Sequence, residues 1–438
     1  MAGQPETIRK IAVRGFKSIA DEQQIELRPL TLLAGANSSG KSSIMQPVLL
    51  LKQTLEAPSD PGALLLDGPN VRFTSAEQLL SQVGGNTRKT EFAVRMELSG
   101  GAHLEVIFKR KEDKGFEVGE MSYVDEGRKL HLVPNMSHDE ILQVLSPGEK
   151  AISSMVERQA KEKLYWSICR DRCFLAFGLC SQETKSPRVL FRVLRASLFI
   201  PQLQDLIHLP GLRGNPRRTY PRNAVGPWFP GTFENYVASI VAEWQSDDDP
   251  RLSQLGSALE NMGLTWKVEA KPLDDTQVEL RVGRLAHSRA GGNHDLVSIA
   301  DVGFGVSQSL PVAVALIAAE PGQVVYLEQP EMHLHPRAQR RLAHVLADAA
   351  NRGVVVVAET HSALLLREVQ TIVATGKLST DKVKLHWFQR QEDGHTVVVP
   401  ADLDANGAYG DWPEDFDEVE LDAEKAYLDA VETKGAGE

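Results

Sequence analysis

Residues 35–43 read GANSSGKSS, and this stretch decides the fold of the chain. It satisfies the pattern G-x-x-x-x-G-K-[ST], in which glycines let a loop bend so that successive backbone N–H groups point at phosphate oxygens. In that pattern Lys41 bridges the β and γ phosphates of a nucleotide, and the Ser42 hydroxyl completes the shell of a magnesium ion. The predicted phosphate-binding residues are Gly35, Asn37, Ser38, Ser39, Gly40, Lys41, Ser42 and Ser43.

The segments on either side of the loop support this prediction. Residues 23–35, QQIELRPLTLLAG, have the pattern of a strand and lead straight into the loop. Residues 42–56, SSIMQPVLLLKQTLE, carry apolar side chains at helical spacing, and Pro47 falls in the early turns, where a missing amide proton costs least. Strand, glycine-rich loop and helix is the order that a phosphate-binding loop requires. An incidental serine-rich turn is the alternative.

Two further strands are predicted to end in polar side chains. In residues 323–336, QVVYLEQPEMHLHP, a short apolar run ends at Glu328, and residues 353–362, GVVVVAETHS, carry His361 at their end. The helix predicted between them, 336–351, makes the whole a βαβ unit. Ligands bind at the carboxyl ends of the strands in open α/β sheets. We therefore expect both strand tips to lie beside the glycine-rich loop.

A polar, glycine-bearing segment opens another apolar helix. Residues 298–320 read SIADVGFGVSQSLPVAVALIAAE, with Ser307 and Gln308 near the start of the helix. A helix start presents free amide protons to an anion. An ordinary capped core helix is the alternative interpretation.

Together these motifs resemble the ABC-type ATPases of the SMC, RecF and OLD group, and in particular the small predicted AAA-family ATPases that carry this head without long coiled coils. GFKSI at 15–19, GANSSGKSS, DVGFGVSQ, YLEQPEMHLHP and AETHS occur in the family's order. The resemblance covers residues 1–110 and 195–400. It implies an α/β fold, the P-loop type with a mixed sheet and flanking helices.

The resemblance also implies how a nucleotide is held. ATP with magnesium would be sandwiched between two heads of a homodimer, with Lys41 and Ser42 from one head and the region of Ser307 and Gln308 from the other. Glu328 holds the Walker B position, so Ser42 and Glu328 are the expected magnesium ligands. Two residues are candidates for the glutamine loop, Gln78 and Gln82.

Gln329 departs from the wider group, which has a glutamate there to orient and deprotonate the attacking water. An amide positions water but cannot accept its proton, and loss of a general base costs ~10²–10⁴-fold in rate. Glu331 is a candidate substitute base, and the resemblance makes His361 the switch histidine that senses the γ-phosphate. We therefore predict a slow ATPase with a long-lived bound state, whose catalytic residues are Lys41, Gln329, Glu331 and His361. The alternative is that Gln329 only caps the proline turn.

The rest of the chain divides into an insertion and a tail. Residues 138–177 suggest helices broken at Pro147 and Gly148, without sustained heptads and so without a long arm. Such an insertion suits a partner protein or DNA. The expected parts are the N-terminal head with Walker A (1–125), a mostly helical insertion (126–194), the C-terminal head with the signature-like motif, Walker B and switch histidine (195–400), and an acidic C-terminal segment (401–438).

Residues 208–228, HLPGLRGNPRRTYPRNAVGPW, form an arginine-rich loop with many glycines and prolines. Such clusters bind phosphate backbones and stack bases, which makes DNA a candidate partner. They are just as often loops packed by salt bridges. The side chains concerned are Arg213, Arg217, Arg218, Tyr220, Arg222 and Trp228.

Charge and composition exclude some classes of protein. The net charge is −11, and residues 411–438 hold eleven acidic residues against two lysines, a balance of −9 that leaves −2 for the rest. This excludes a globally basic nucleic-acid binder but not a local basic groove. No apolar run approaches the ~20 residues that cross a bilayer, so we expect a cytoplasmic protein without a membrane partner. Three cysteines make a poor zinc site, and His333 and His335 fit a turn at a dimer contact better than a metal site.

Two classes of function remain open from the sequence. In the first, the chain is an ATP-hydrolysing, homodimerising switch or sensor, with a separate effector protein in a defence or DNA-maintenance system. That last step is an analogy with relatives. In the second, it is a scaffold or binding module that nucleotide stabilises, without appreciable turnover.

Overall fold

Strands and helices alternate between residues 304 and 390, whereas the earlier part of the described chain contains runs of consecutive strands. The computed structural model describes residues 6–82, 88–112, 115–160, 164–181, 188–287 and 295–410. The strands are β1 (Ile8–Arg14), β2 (Gln23–Glu26), β3 (Leu30–Gly35), β4 (Glu91–Leu98), β5 (His103–Lys111), β6 (Gly115–Asp125), β7 (Arg128–Leu132), β8 (Leu164–Asp171), β9 (Phe174–Ser181), β10 (Arg188–Val193), β11 (Ile207–Leu209), β12 (Tyr220–Pro221), β13 (Val268–Pro272), β14 (Gln277–Gly283), β15 (Leu296–Ser298), β16 (Val324–Glu328), β17 (Val355–Thr360), β18 (Val383–Arg390) and β19 (Thr396–Ala401). The helices are α1 (Lys41–Glu56), α2 (His138–Val144), α3 (Pro147–Ala160), α4 (Phe199–Gln204), α5 (Val237–Ser246), α6 (Pro250–Asn261), α7 (Phe304–Ala318), α8 (Pro336–Asn351) and α9 (Ala363–Ala374).

The glycine-rich loop follows a central strand of a mixed sheet. The strand order is β11-β16-β17-β3-β18-β19; the first five strands run parallel, and β19 is antiparallel to β18. Every residue of β3 and β17 is buried, as expected for parallel strands that are covered on both faces. Since β17 pairs with both β16 and β3, it separates the strand that precedes the loop from the strand that ends at Glu328. This confirms the predicted α/β fold and the predicted βαβ unit of β16, α8 and β17.

A second sheet is antiparallel and packs over α1. Its order is β2-β1-β4-β5-β6-β7, and its inner face joins the buried side of α1 in one hydrophobic core. Because β7 pairs with β6, residues 128–132 continue this sheet beyond the expected boundary at 125. The predicted helix 42–56 is confirmed as α1, and Pro47 lies inside its second turn.

The insertion is mixed rather than mostly helical, which corrects the expectation from sequence. The two predicted helices are present as α2 and α3, and Pro147 begins α3. Residues 164–181, however, form a hairpin of β8 and β9, to which β10 adds a third strand. Every residue of β9 is buried, so its apolar run has no alternation that would reveal a strand. Residues 411–438 of the expected acidic segment lie outside the described residues.

The remaining strands and helices cover the other face of the mixed sheet. A small antiparallel sheet, β12-β14-β13 with β15 beside β14, packs with α5, α6 and α7. No described helix combines the length and apolar character that a bilayer-spanning segment requires.

Candidate nucleotide-binding site

The glycine-rich loop has a backbone shape that side chains would prevent. Gly35 and Gly40 have φ values of 146° and 101°, which L-residues with a Cβ rarely adopt. A Cβ on Gly35 would collide with the Phe388 carbonyl of β18, and one on Gly40 would lie 2.8 Å from the Ser18 Oγ. The loop is therefore held between two neighbouring parts of the chain, with its backbone close to both.

Lys41 is the first residue of α1, and its side chain reaches back to the loop. Its Nζ donates to the carbonyls of Gly35 at 2.9 Å and Ala36 at 2.8 Å. Burial lowers the pKa of Lys41 to about 8, against the opposing effect of the carboxylates of Glu359 and Glu331. The ammonium group is thus enclosed by the same loop whose N–H groups are expected to face phosphate.

A buried glutamate that the motif analysis did not identify contacts the loop. Ser42 Oγ donates to Glu359 Oε2 at 2.8 Å, and the Tyr326 hydroxyl donates to the other oxygen of the same carboxylate. Burial and the neighbouring Glu328 raise the pKa of Glu359 to about 7. The available signal was a charged residue inside the otherwise apolar run of β17.

Glu328 faces away from the loop, toward β11. Its Oε2 accepts from the Gly211 N–H at 3.0 Å, and its Oε1 lies 3.3 Å from His208 Nε2. Burial by itself would raise the pKa of Glu328. The hydrogen bond from His208, the charge of His208 and the Gly211 N–H together outweigh burial, so the pKa is lowered. The structure therefore brings Ser42 to Glu359 rather than to Glu328, the carboxylate expected beside it.

Gln329 lies at the strand tip in a left-handed conformation. Its φ is 44°, which is uncommon outside glycine, asparagine and aspartate. Three backbone contacts hold it: its N–H donates to the Glu359 carbonyl at 3.0 Å, and its carbonyl accepts from Arg213 Nη2 at 3.2 Å and from the Met332 N–H at 3.1 Å. Its side chain lines the same cavity as the glycine-rich loop. The backbone of the strand tip is thus fixed from both sides, and Gln329 lies at the edge of the cavity that the loop lines.

Glu331 ties the two strand tips together. Its Oε1 accepts from Thr360 Oγ1 at 2.6 Å and from the His361 N–H at 2.9 Å. Its Oε2 is buried and has no hydrogen-bond partner among the described residues. Burial lowers the pKa of His361, and the charge of Lys41 lowers it further, so the half-buried imidazole is neutral at pH 7.

These groups surround one cavity of about 710 Å³. It is lined by residues of the glycine-rich loop on one side and by Gln329, Glu359 and His361 on the other. Glu328 and Glu331 do not line it.

Both glutamine-loop candidates lie at the edge of this cavity, where Gln78 Nε2 donates to Thr74 Oγ1 at 2.9 Å and Gln82 accepts from Arg88 at 2.8 Å. Three cations that the motifs did not reveal also line it: Lys17, Arg88 and Arg390.

The donor atoms beside the loop fit magnesium. This ion takes oxygen ligands, keeps several waters, and is commonly bound by one or two carboxylates together with substrate phosphates. The Ser42 hydroxyl and the carboxylate of Glu359, 2.8 Å from it, offer oxygen only. His333 contacts the Phe304 ring, with 5.8 Å between centroids, and His335 caps α8. Among the described residues, no group of three or more His, Cys, Asp or Glu is placed to hold a metal.

Ser307 and Gln308 lie away from the glycine-rich loop of their own chain. Ser307 Oγ donates to the Phe304 carbonyl at 3.2 Å, and Gln308 Nε2 donates to the Arg213 carbonyl at 2.9 Å. Ser307 lines a separate cavity of about 90 Å³ beside the arginine-rich loop. The two residues therefore contribute nothing to the nucleotide cavity within one head.

The arginine-rich loop divides into buried and exposed members. Arg213 is buried and holds Gln329, and burial lowers its pKa against the charges of nearby glutamates. It is therefore not available to DNA. Arg218 is exposed and pairs with Asp301 at 2.8 Å, and Arg217 and Arg222 are exposed as well.

Residues 247–367 match the family model described as "AAA domain, putative AbiEii toxin, Type IV TA system". The matched range contains the start of α7, the tip of β16 and the tip of β17, but not the glycine-rich loop at 35–43. Among curated proteins, none matches this chain.

Several solved structures are similar at low identity. An Smc head bound to the C-terminal winged-helix domain of ScpA is 13% identical, with 91% of this chain and 98% of that chain covered and a TM-score of 0.48. The Smc head from Pyrococcus furiosus with an extended coiled coil, bound to the C-terminal domain of ScpA, is 12% identical, with 91% and 96% covered and a TM-score of 0.46. The SMC head domain from Thermotoga maritima is 11% identical, with 91% and 100% covered and a TM-score of 0.39.

TM-scores below 0.5 carry no argument about the function of this chain. Three observations are independent of these solved structures: the loop geometry, the order of the parallel strands and the matched AAA domain. On these grounds the chain has an α/β fold with a P-loop-type glycine-rich loop after a central parallel strand, and residues 247–367 are similar to an AAA domain.

Proposed function

We propose that this chain binds ATP with magnesium and hydrolyses it slowly, as a nucleotide-dependent switch. One observation supports the proposal above all: a single cavity is lined by Lys41, Ser42, Gln329, Glu359 and His361. A phosphate-binding loop and a water-positioning amide are groups that P-loop enzymes use for phosphoryl transfer to water, and a neutral imidazole can donate a hydrogen bond to a phosphate.

Each side chain has a part that follows from its chemistry. The N–H groups of the loop and the Lys41 ammonium hold the β and γ phosphates. When bound, magnesium neutralises charge on those phosphates. The neutral His361 donates a hydrogen bond to the γ-phosphate, and the Gln329 amide orients the attacking water. Glutamine positions water in small GTPases as well, where charge stabilisation supplies most of the catalysis.

The expected slowness follows from the absence of a free carboxylate at the strand tip. Gln329 cannot accept a proton. Glu331, the candidate substitute base, is tied to the turn at Thr360 and His361 and does not line the cavity. A general base contributes about 10²–10⁴-fold, so turnover is expected to be slower by that order than with a glutamate at 329.

We further propose that two heads associate around ATP. Ser307 and Gln308 do not reach the nucleotide cavity of their own chain. Beside them lie two exposed apolar side chains, Leu212 at 86% and Phe304 at 52% exposure, of a kind that protein interfaces cover. A homodimer would place the start of α7 against the nucleotide of the partner. A separate effector protein, in defence or in DNA maintenance, remains part of the same proposal, with DNA as a further candidate partner.

The experiment measures phosphate release by the pure protein, alone and with DNA, beside a Lys41→Ala variant. We expect slow release that the variant abolishes, and a concentration-dependent dimer in the presence of ATP. A rate that Lys41→Ala leaves unchanged would defeat the enzymatic proposal. ATP binding and dimerisation without measurable release would instead favour the alternative, a scaffold that nucleotide stabilises for a protein partner.

A further inference from the structure

Two carboxylates are candidates for the magnesium site, and the choice between them rests on the proposed binding of ATP with magnesium. Two glutamates end neighbouring strands, since Glu328 of β16 and Glu359 of β17 are paired in register. Of these two strands, β17 is hydrogen-bonded to β3, the strand that leads into the loop, and β16 is not. Because neighbouring strands lie ~4.8 Å apart, Glu359 starts one strand closer to Ser42 than Glu328 does.

The hydrogen bonds of the two carboxylates also place Glu359, and not Glu328, beside Ser42. Glu359 Oε2 accepts from Ser42 Oγ at 2.8 Å, whereas both oxygens of Glu328 are engaged on the β11 side by Gly211 and His208. Tyr326 holds the second oxygen of Glu359 and stacks on His208, with 5.3 Å between ring centroids. The two glutamates therefore have different hydrogen-bond partners, and the stacked pair of Tyr326 and His208 connects these partners.

We propose that Glu359 is the positioning carboxylate of the magnesium site, acting through the Ser42 hydroxyl. A serine hydroxyl that binds a metal does so through an oxygen lone pair, so its hydrogen must point elsewhere. A carboxylate that accepts this hydrogen turns the lone pair toward the metal and makes the oxygen a better donor. Tyr326 keeps Glu359 in place for this task, and Glu328 anchors the segment after β11.

The test uses Mn²⁺ as a spectroscopic substitute for magnesium, with a non-hydrolysable ATP analogue and the full-length protein. Electron paramagnetic resonance measures the affinity of Mn²⁺ for the protein–nucleotide complex, and analogue binding in EDTA measures the metal-free affinity. Glu359→Gln should weaken Mn²⁺ binding about 10–100-fold, the usual cost of losing an outer-shell partner. It should leave metal-free nucleotide affinity within about threefold.

Matched variants separate positioning from general damage. Glu368→Gln removes a buried carboxylate on α9 that pairs with Arg340 and His344, and it should leave Mn²⁺ binding unchanged. In a Ser42→Ala background, Glu359→Gln should cost little more, since two residues that act through one contact are not additive. Tyr326→Phe removes the hydroxyl that donates to Glu359. It should therefore weaken Mn²⁺ binding, but by less than Glu359→Gln does.

Each outcome decides between the alternatives. A loss with Glu328→Gln larger than with Glu359→Gln would overturn the inference, and so would additive losses with Ser42→Ala. If the unaltered protein binds neither analogue nor Mn²⁺ with analogue, the proposed function itself fails. If it binds both and Glu359→Gln is indistinguishable from Glu368→Gln, only the present inference fails.

Discussion

Replacement of Arg213 by methionine tests the architecture of the site, because this arginine is buried although its neighbours in the loop are exposed. Its guanidinium donates to the Gln329 carbonyl at 3.2 Å, and its charge acts on three carboxylates, Glu234, Glu331 and Glu328. Methionine keeps most of the apolar stem and removes the charge.

The size of the effect follows from these contacts. A hydrogen bond from a charged group is worth about 1.5–3 kcal/mol. Removing the cation also leaves buried carboxylates uncompensated, which takes the expected loss of unfolding free energy to about 3–5 kcal/mol. The left-handed turn at Gln329 loses one of its three backbone restraints. A loss of about 1.5–3 kcal/mol at 1.36 kcal/mol per factor of ten should raise local exchange by about 10–10²-fold.

Urea unfolding and amide hydrogen exchange of residues 208–214 and 324–334 measure both effects. The matched control is Arg218→Met, in the same loop, where the arginine is exposed and pairs with Asp301. That change should produce no measurable loss, since surface ion pairs contribute little. If Arg213→Met unfolds and exchanges like Arg218→Met, then Arg213 does not hold the strand tip and the reasoning is refuted.

Three further predictions address the base, the loop and the sheet. Gln329→Glu should accelerate phosphate release by about 10²-fold or more, because a carboxylate accepts the proton of the attacking water; an unchanged rate in a stopped-flow phosphate assay contradicts this. Gly40→Ala should weaken nucleotide binding at least about tenfold, since φ is 101° and the added Cβ would lie 2.8 Å from Ser18 Oγ; calorimetry that finds the same affinity would show that the loop tolerates a side chain. His386 is buried, and burial lowers its pKa from 6.5 to about 4. Between these two pH values the imidazole is protonated in the unfolded chain and neutral in the folded protein. Stability from this group is therefore complete above pH 6.5 and decreases by up to about 3 kcal/mol as the pH falls toward 4, which urea unfolding should detect as a steeper pH dependence than in His386→Gln.

The loop and its surroundings were predictable because their information is local. The glycines of residues 35–43 report backbone angles that only glycine adopts easily, and the flanking strand and helix have clear periodicities. The βαβ unit was predictable for the same reason, since two short apolar runs lie on either side of an amphipathic helix.

The insertion shows where pattern reading fails. Residues 164–181 follow two helices and contain an apolar run without alternation, and such a run is ambiguous between helix and strand. Burial of β9 on both faces removes the period of two that reveals a half-exposed strand. The arginine-rich loop shows a related limit, because composition alone does not distinguish the buried Arg213 from the exposed Arg218.

The amino-acid sequence by itself determined that a glycine-rich loop follows a buried strand, and that Gln329 and His361 directly follow the ends of two other strands. Only the tertiary structure decided that Ser42 meets Glu359, a residue 317 positions away. The reason is physical: a glycine loop depends on the angles of a few consecutive residues, whereas the carboxylate that reaches the loop depends on which strand lies next to β3. Strand order arises from the packing of the whole sheet, and no short stretch contains it.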